Sequence, residues 1–401
     1  MSRIAGRHVV LGVSGGIAAY KSCIIARRLT EAGVAVEAVL TAAAAEFVGP
    51  VTFEALTGRP VVTSLWQPGR SLDHVRLGRE ADLVVVAPAT AHVLARAAQG
   101  MADDFLTALL LACRAPLLLA PAMNDRMYAH PETQANLALL RSRGVHVLGP
   151  ATGPLARGEG EGPGRMVEPE EVLAYAERLL RGAAPWTGAR VLVTAGPTRE
   201  RLDPVRVVTN RSSGRMGYAL AREAWLRGAD VTLISGPAGL EPPPGVDVVR
   251  VESTAELAAS VGDALPLADL LLMAAAPADY RPAKALERKA KRSEGALRLD
   301  LEPTEDVLAG TTARRKKGAV VVGFALETDD VVASARAKLE AKRLDLVVAN
   351  DATEPGAGPE VATNRVTIVS RDGAEALPLM AKDDVAAAIL DRVQRLVSKR
   401  G

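Results

Sequence analysis

Two short loops hold residues that could approach a ligand closely through their main chain. Residues 12–16 (Gly-Val-Ser-Gly-Gly) follow the apolar run His8–Leu11, and residues 120–124 (Ala-Pro-Ala-Met-Asn) follow Pro116–Leu119. Small residues let the backbone contact a flat or phosphorylated ligand, and an asparagine offers both a donor and an acceptor. Each loop alone is also compatible with an ordinary strand-to-helix turn. Together, after two buried strands, they predict a ligand crevice at the carboxyl edge of a sheet.

Other small or hydroxyl-bearing residues follow the remaining strands of the first half. Thr41 follows the second predicted strand, Ala87 and Thr90 follow the third, and Met101 and Ala102 precede the next helix. Hydroxyls and helix-start amides around one crevice suit a phosphate next to a planar ring. The first strand is not followed by Gly-x-Gly-x-x-Gly, and the sequence contains no Walker Gly-Lys-Ser/Thr, which argues against a standard dinucleotide site and a P-loop ATPase.

His74 is one of only five histidines in the chain. An imidazole exchanges a proton near neutral pH, so His74 could act as a base if it lay at a site. Its position in the segment 72–77 is also typical of an exposed helix residue, and position alone favours that interpretation.

The second half has a dense polar run ahead of a predicted helix. Ser212, Ser213 and the following glycine lie where a helix N-terminus would meet an anion. Capping alone explains Ser213, but it does not require Arg206 and Asn210 in the same short span.

Charged residues follow the later predicted strands of the second half. Ala275 and Asp279 follow a strand, and a basic run that includes Lys289 comes next. Such a run is usually a solvated face, but its position after a strand-end aspartate makes a clamp on a triphosphate the alternative. Lys338 and Lys342 share a helix face at i, i+4 spacing, where like charges repel unless an anion lies between them.

Strands and helices alternate along both halves, which predicts parallel sheets covered by helices. The predicted fold is α/β, with two doubly wound Rossmann-like or flavodoxin-like parallel-sheet domains in tandem. The stretch 182–188 predicts a linker between domains 1–181 and 189–401. Leu297–Leu301 and Asn364–Val369 alternate by twos and predict half-exposed strands. Covered strands are expected at His8–Leu11, Val34–Leu40, Leu83–Ala87, Pro116–Ala120, Val145–Leu148, Arg190–Thr194, Asp230–Ile234, Val246–Val251, Leu270–Ala274, Val320–Ala325 and Leu344–Ala349.

Composition narrows the class of protein. The chain has 401 residues, a formal net charge of +2 and only two cysteines. A nearly balanced charge makes nucleic acid an unexpected partner, and two cysteines in apolar segments do not suggest a disulfide framework or a zinc site. No apolar run reaches membrane-spanning length, so we expect no membrane association and a cytoplasmic protein.

The first half resembles the flavin-dependent cysteine decarboxylases, a family that includes phosphopantothenoylcysteine decarboxylase of coenzyme A synthesis. The likeness rests on residues 12–21, 72–77, 87–90 and 121–124. It implies that FMN oxidises the substrate's terminal cysteine to a thioaldehyde, from which carbon dioxide leaves. It also implies that His74 is the base, that Asn124 holds the substrate carboxylate and that Met127 covers the substrate. The FMN-binding residues it implies are Gly12, Ser14, Gly15, Thr41, Ala87, Thr90, Met101 and Ala102.

A glycine-rich flap at 158–166 departs from this family. Its decarboxylases usually carry a Cys-Gly pair before Gly-Arg-Met, and the thiol delivers a proton when the enethiolate intermediate is reduced. Here Arg157 precedes Gly158, and the Gly-Arg-Met follows at 164–166. Because a guanidinium hardly deprotonates, Arg157 cannot readily replace the thiol. Decarboxylation is expected to persist, whereas the final reduction needs another donor. The flap itself is either a plain loop or a lid over the site.

The second half resembles the CTP-dependent phosphopantothenate–cysteine ligase that is fused behind the decarboxylase in bacteria. The two resemblances cover almost the whole chain, in matching order. They imply that CTP activates 4′-phosphopantothenate as an acyl-cytidylate, that pyrophosphate leaves and that the amine of cysteine then attacks. Asn210 would hold the acyl-cytidylate, Lys289 would stabilise phosphate charge, and Mg²⁺ would bridge the phosphates. Substrate and CTP contacts are implied for Arg206, Ala275, Asp279, Glu305, Asp306, Val307, Leu308, Phe324, Lys338 and Lys342.

The resemblance also implies a homo-oligomer, a dodecamer built from trimeric decarboxylase and dimeric ligase contacts. Two alternatives stay open. An active ligase could be fused to a flavin-binding scaffold or regulatory module whose reductive step is impaired by Arg157. A nicotinamide dehydrogenase has a similar fold but would need the absent glycine fingerprint.

Overall fold

The computed structural model describes residues 3–66, 72–155, 158, 160–182, 184–291, 297–327, 330–351 and 353–400. The chain divides into two compact units, residues 1–182 and 183–401, and each is described separately below. Among the described helices, none combines the length and apolarity needed to cross a bilayer.

The first unit is built on a five-stranded parallel sheet with helices on both faces. Its strands are β1 (His8–Val13), β2 (Ala35–Leu40), β3 (Leu83–Ala89), β4 (Leu117–Pro121) and β5 (His146–Val147), and a hairpin adds β6 (Ala151–Pro154) and β7 (Glu161–Arg165). Its helices are α1 (Ala19–Glu31), α2 (Ala42–Ala45), α3 (Pro50–Thr57), α4 (Asp73–Glu80), α5 (Ala91–Gln99), α6 (Phe105–Ala112), α7 (Asp125–Ala129), α8 (Pro131–Ser142) and α9 (Pro169–Arg181).

The strand order in this sheet is β2-β1-β3-β4-β5, the flavodoxin-like arrangement. Every residue of the central strand β3 is buried, because helices cover both faces of the sheet. One apolar cluster includes Leu11 and Phe53, and a second cluster includes Leu94 and Leu106. The carboxyl ends of the strands therefore form the edge of this sheet at which a ligand can meet several loops.

The second unit contains an eight-stranded sheet. Its strands are β8 (Arg190–Ala195), β9 (Arg199–Arg201), β10 (Val207–Thr209), β11 (Asp230–Ser235), β12 (Asp247–Arg250), β13 (Leu270–Met273), β14 (Tyr280–Pro282), β15 (Leu301–Pro303), β16 (Val320–Glu327), β17 (Leu346–Asp351), β18 (Thr363–Asn364), β19 (Thr367–Ser370), β20 (Gly373–Ala376) and β21 (Met380–Ala381). Its helices are α10 (Arg215–Leu226), α11 (Thr254–Ala264), α12 (Val307–Gly310), α13 (Val331–Ala341) and α14 (Lys382–Arg400).

The order in the large sheet is β12-β11-β8-β13-β16-β17-β19-β20. The first six strands are parallel and follow the Rossmann order, while β19 and β20 extend the sheet as an antiparallel hairpin. The predicted α/β fold with two doubly wound parallel sheets is thus confirmed.

The two alternating stretches form less strand than their pattern predicts. Of Leu297–Leu301, only Leu301 enters a strand, in the short ribbon that β15 forms with β14. Asn364–Val369 is split, because Asn364 pairs with Met380 while residues 367–370 join the large sheet. The glycine-rich flap is more regular than predicted, since Glu161–Arg165 is a strand antiparallel to Ala151–Pro154.

Candidate functional site

In the first unit, loops at the carboxyl ends of β1–β4 enclose a cavity of about 950 Å³. Ser14, Thr41, Thr90 and Asn124, each predicted from the sequence, line this cavity. The parallel order of the sheet brings these four loops together, because every strand ends at the same edge. Gly15 and Met127 also line it.

Ser14 joins two of these loops. Its buried hydroxyl donates to the carbonyl of Pro88 at 2.8 Å and accepts from the amide of Thr90 at 3.0 Å. The next residue, Gly15, lies directly against the start of α2, where an added Cβ would be 2.4 Å from the Cβ of Ala43. Only glycine permits this approach, so the loop presents main-chain atoms to the cavity.

Three helices begin at the cavity, and each is capped by a residue that lines it. Thr41 accepts from the amide of Ala44, and Thr90 accepts from Val93. Asn124 accepts from the amide of Arg126 through Oδ1 at 2.9 Å. Among the described residues, no partner is found for the Asn124 Nδ2 donors. Caps of this kind leave other helix-start amides available to an anion.

Five other predicted residues of the first unit do not line the cavity. Gly12 lies behind the loop, where an added Cβ would be 2.6 Å from Leu106, and Ala87 is fully buried. Met101 and Ala102 are exposed outside it. His74 lies on α4 with its ring edge-on to Phe105, and its buried Nδ1 has no hydrogen-bond partner within the described part of the chain.

The β6–β7 hairpin forms one wall of this cavity. The amide of Met123 donates to the carbonyl of Gly164 at 2.9 Å, and a Cβ on Gly164 would be 2.2 Å from the carbonyl oxygen of Met123. Below the hairpin, Glu168 Oε1 accepts from both Lys21 at 3.1 Å and Arg165 at 2.6 Å. Arg157, the residue at the position of the family's cysteine, lies outside the described residues.

Sequence reasoning missed several charged residues at this cavity. Arg96 lines it and pairs with Asp103 at 2.7 Å and Asp104 at 3.2 Å. Lys21 lines it from α1 and is buried. The two aspartates follow Arg96 by seven and eight residues, after α5 has ended. No regular helical spacing in the sequence therefore indicates that they pair.

In the second unit, a cavity of about 750 Å³ lies at the carboxyl ends of β13, β16 and β17 and at the start of α10. Hydrogen bonds between strand-end residues shape its floor. Thr194 Oγ1 accepts from the amide of Ala275 at 3.0 Å, and Asn210 Nδ2 donates to the carbonyl of Pro277 at 2.8 Å. At Gly217 an added Cβ would be 2.5 Å from the Cβ of Ala195, so α10 packs closely on β8.

Most of the predicted substrate and CTP residues meet at this cavity. Lys338 Nζ donates to the carbonyl of Phe324 at 3.0 Å, and Lys342 pairs with Asp306 at 2.7 Å. Burial lowers the pKa of Lys338, and the charge of Lys342 lowers it further. The predicted residues that line the cavity are Asn210, Ala275, Asp279, Glu305, Asp306, Val307, Leu308, Phe324, Lys338 and Lys342.

Arg206 and Lys289 do not line this cavity. Arg206 Nη1 donates to Asp203 at 3.1 Å and to the carbonyl of Ala290 at 3.1 Å, so it tethers the basic run that contains Lys289. Lys289 itself is exposed. Within the described ranges, no three His, Cys, Asp or Glu side chains form a group that could hold a metal ion.

Each unit thus has the architecture in which α/β proteins bind nucleotides and related cofactors, with its ligand crevice at the carboxyl edge. Residues 2–181 match the flavoprotein family model, and residues 186–396 match the model for the DNA/pantothenate metabolism flavoprotein C-terminal domain. The chain belongs to the family of bifunctional coenzyme A biosynthesis proteins, as the sequence predicted, and is an enzyme of that family.

Individual relatives match along nearly the whole chain. The coenzyme A biosynthesis bifunctional protein CoaBC of Mycobacterium tuberculosis is 50% identical over 403 residues, with 96% of both chains covered. The protein of the same name from Vibrio vulnificus is 44% identical over 401 residues and covers 99% of this chain and 100% of its own. The crystal structure of a CoaBC C-terminal domain shares 38% identity, covering 54% of this chain and 100% of its own with a TM-score of 0.46.

Proposed function

We propose that the second unit joins cysteine to 4′-phosphopantothenate with CTP and that the first unit decarboxylates the product with FMN. One observation carries this proposal: each unit has a cavity at the carboxyl edge of its sheet. At that edge, glycines allow backbone segments to approach one another more closely than any other residue would permit. Family membership supports the same order of activities along the chain.

The first cavity fits a bound FMN. Gly15 packs its main chain directly against Ala43, which leaves the loop amides uncovered by a side chain, and helices α2 and α5 begin at the same place. The cavity of about 950 Å³ lies in the range that holds a cofactor-sized ligand. When bound, FMN supplies a two-electron oxidant for the terminal cysteine of the substrate.

Within that cavity, Asn124 is assigned to the substrate carboxylate. Its Oδ1 is used in capping α7, so the Nδ2 donors are left for an anionic oxygen. Met127 is 49% exposed at the rim and would cover the apolar part of the substrate. His74 is assigned as the base, and Gly12, Ala87, Met101 and Ala102 are assigned indirect or peripheral contacts to FMN.

In the second cavity, a carboxylate oxygen of 4′-phosphopantothenate attacks the α-phosphorus of CTP and pyrophosphate leaves. The amine of cysteine then attacks the acyl carbon, loses a proton and displaces CMP. Lys338, Lys342 and Asn210 line this cavity. The two lysines would neutralise phosphate charge, and Asn210 would orient the acyl group. Mg²⁺ would enter with the triphosphate, held mainly by phosphate oxygens, with Asp279 and Glu305 at hand. Arg206 and Lys289 would act from the rim.

We expect Gly15→Ala to weaken FMN binding about tenfold or more, because the new methyl group must displace Ala43 or the loop. Bound flavin is measured by absorbance of the purified protein and by FMN titration of the apoprotein. Gly49→Ala is the matched control, since Gly49 has open space around it and an ordinary φ of −69°. Normal flavin content in Gly15→Ala with an intact circular dichroism spectrum would refute the placement of FMN.

Asn210→Ala should lower pyrophosphate release from CTP, 4′-phosphopantothenate and cysteine about 100-fold or more, because one positioned donor is lost. Decarboxylation of preformed 4′-phosphopantothenoylcysteine should stay unchanged in the same preparation. The matched control is Asn136→Ala, on the surface of the first unit. Ligation at the wild-type rate in Asn210→Ala contradicts the assignment.

Product analysis tests whether Arg157 interrupts the reductive step. We expect the wild-type protein to release carbon dioxide from 4′-phosphopantothenoylcysteine and to leave the oxidised enethiol, because a guanidinium hardly donates a proton. The electrons then stay on the flavin, so without oxygen to reoxidise it the amount of enethiol should not exceed the amount of bound FMN. Arg157→Cys should shift the product toward reduced 4′-phosphopantetheine, as measured by mass spectrometry. Fully reduced product from the wild-type chain means that another donor serves and supports a complete decarboxylase, whereas the oxidised enethiol places the defect at the flap, as in the scaffold alternative. Absence of carbon dioxide contradicts decarboxylation by the first unit.

A homo-oligomer accounts for two features of the first unit. The exposed Ile17 and Tyr20 flank the cavity, and His74 of the same chain does not line it. Subunit contacts at the cavity would cover the apolar side chains and admit His74 from another copy. We therefore expect native mass measurements to give about twelve chain masses, as trimeric and dimeric contacts combine. A monomeric mass at micromolar concentration would contradict this assembly.

A further inference from the structure

The turn that joins β9 to β10, residues 202–206, is built around the carboxylate of Asp203. The side chain of Asp203 is 0% exposed. Its Oδ1 accepts from the amides of Val205 and Arg206, both at 2.8 Å. Aspartates commonly bond to the amides that follow them in a turn, so these two contacts account only for the shape of the hairpin.

The other carboxylate oxygen of Asp203 reaches a segment far along the chain. Oδ2 accepts from the amide of Ala290 at 3.3 Å and from Arg206 Nη1 at 3.1 Å. The same Nη1 donates to the carbonyl of Ala290 at 3.1 Å, so the ion pair of Asp203 and Arg206 binds both main-chain groups of Ala290. The amide of Leu286 also donates to a carbonyl of the turn, at 2.8 Å. The segment 286–290 is therefore attached to the turn at both of its ends.

The opposite end of the β9–β10 hairpin lies at the cavity. The last residue of β10 is followed by Asn210, which lines the cavity. Between the two ends, Glu200 of β9 is 6% exposed and accepts through Oε1 from the amide and the hydroxyl of Thr254, both at 2.8 Å. The hairpin is thus held against the start of α11. It connects Asn210 at the cavity with the segment 286–290 at the turn.

The attached segment carries Lys289, whose side chain is exposed. A lysine on an unattached loop would lose main-chain freedom each time it met a substrate. The hydrogen bonds at Leu286 and Ala290 restrict that freedom before any substrate binds, as positioning for catalysis requires. Arg206 is oriented by the same contacts, which use only Nη1 of the five N–H donors that a guanidinium carries.

We propose that Asp203 is a positioning residue for ligation: its carboxylate holds the main chain beside Lys289 and the guanidinium of Arg206 in place at the rim. This inference rests on the proposed ligase function. In this role Asp203 does not touch a substrate. It acts through the two cations, which neutralise charge as the acyl-cytidylate forms and as CMP leaves. Loss of the attachment should therefore slow the chemical steps and leave CTP binding in the cavity nearly unchanged.

The variant Asp203→Asn separates the attachment from the turn. The two contacts at 2.8 Å keep the amide oxygen of the new side chain facing Val205 and Arg206. Its NH₂ group then faces the amide of Ala290, so two donors meet where a donor and an acceptor met before. The hairpin should stay formed while the segment 286–290 is released.

In steady-state ligation by the full chain, Asp203→Asn should lower kcat about tenfold or more, with the KM for CTP changed less than about twofold. Hydrogen–deuterium exchange read by mass spectrometry should become faster at 286–290 and stay unchanged at 199–209. The matched control is Asp372→Asn in the turn between β19 and β20, which is exposed and does not line the cavity. It should leave both measurements as in the wild type.

A second variant, Ala290→Pro, removes the amide that Asp203 accepts from and leaves the turn of the hairpin untouched. It should lower kcat in the same way, and it decides the question if Asp203→Asn does not fold. Wild-type kcat with faster exchange at 286–290 would overturn the proposal. So would exchange that is accelerated equally at 199–209, because Asp203 would then only build the turn.

The ligase function is judged separately by wild-type turnover of CTP, cysteine and 4′-phosphopantothenate. Exchange at 286–290 that depends on Asp203, in a wild-type chain that does not turn over CTP, refutes the function alone. Wild-type turnover that Asp203→Asn and Ala290→Pro both leave unchanged refutes the positioning role alone.

Discussion

Close approach of main chain to main chain at the carboxyl edge of each sheet is the constraint on which both cavities depend. Helices cover the sheet faces, so ligands can meet several strand ends only at that edge. There the loops touch one another with no space for a side chain. A Cβ on Gly15 would overlap Ala43, and one on Gly236 would lie 1.8 Å from the carbonyl oxygen of Pro197. These contacts fix the loops before any ligand binds. The conformational entropy of the loops is therefore lost during folding and does not weaken ligand binding.

The two cavities differ in the charged groups that line them. The first cavity meets its proposed phosphate with amides, hydroxyls and helix starts, and its charged residues Arg96 and Lys21 are already paired with carboxylates. The second cavity adds lysines and two arginines. A cofactor that stays bound needs directed hydrogen bonds to one phosphate, whereas a triphosphate that is cleaved in each cycle develops charge on its leaving group. Cations such as Lys338 suit that second task.

Local sequence determines the parts of this structure that could be predicted. Apolar runs such as His8–Leu11 followed by small residues predict both the strand and the loop behind it, and the parallel order then gathers Ser14, Thr41, Thr90 and Asn124. Lys21 had no such signal, because it lies within helix α1 and meets Glu168 only through the tertiary fold. The pattern at 297–301 failed for a related reason: alternation reports which side of a strand is buried, but these residues mostly lack a pairing strand.

Strand pairing between β6 and β7 makes the glycine-rich flap a wall of the first cavity. Of the two sequence interpretations, a plain loop or a lid, neither anticipates that Met123 and Gly164 share a hydrogen bond directly above β4. Glu168 adds a carboxylate that accepts from Lys21 of α1 and from Arg165 of the flap strand. Because the base of the hairpin is held at both points, it cannot swing away as a unit without breaking charged hydrogen bonds. The base therefore acts as part of the cavity wall, and it positions Asn124 for the carboxylate it is proposed to hold.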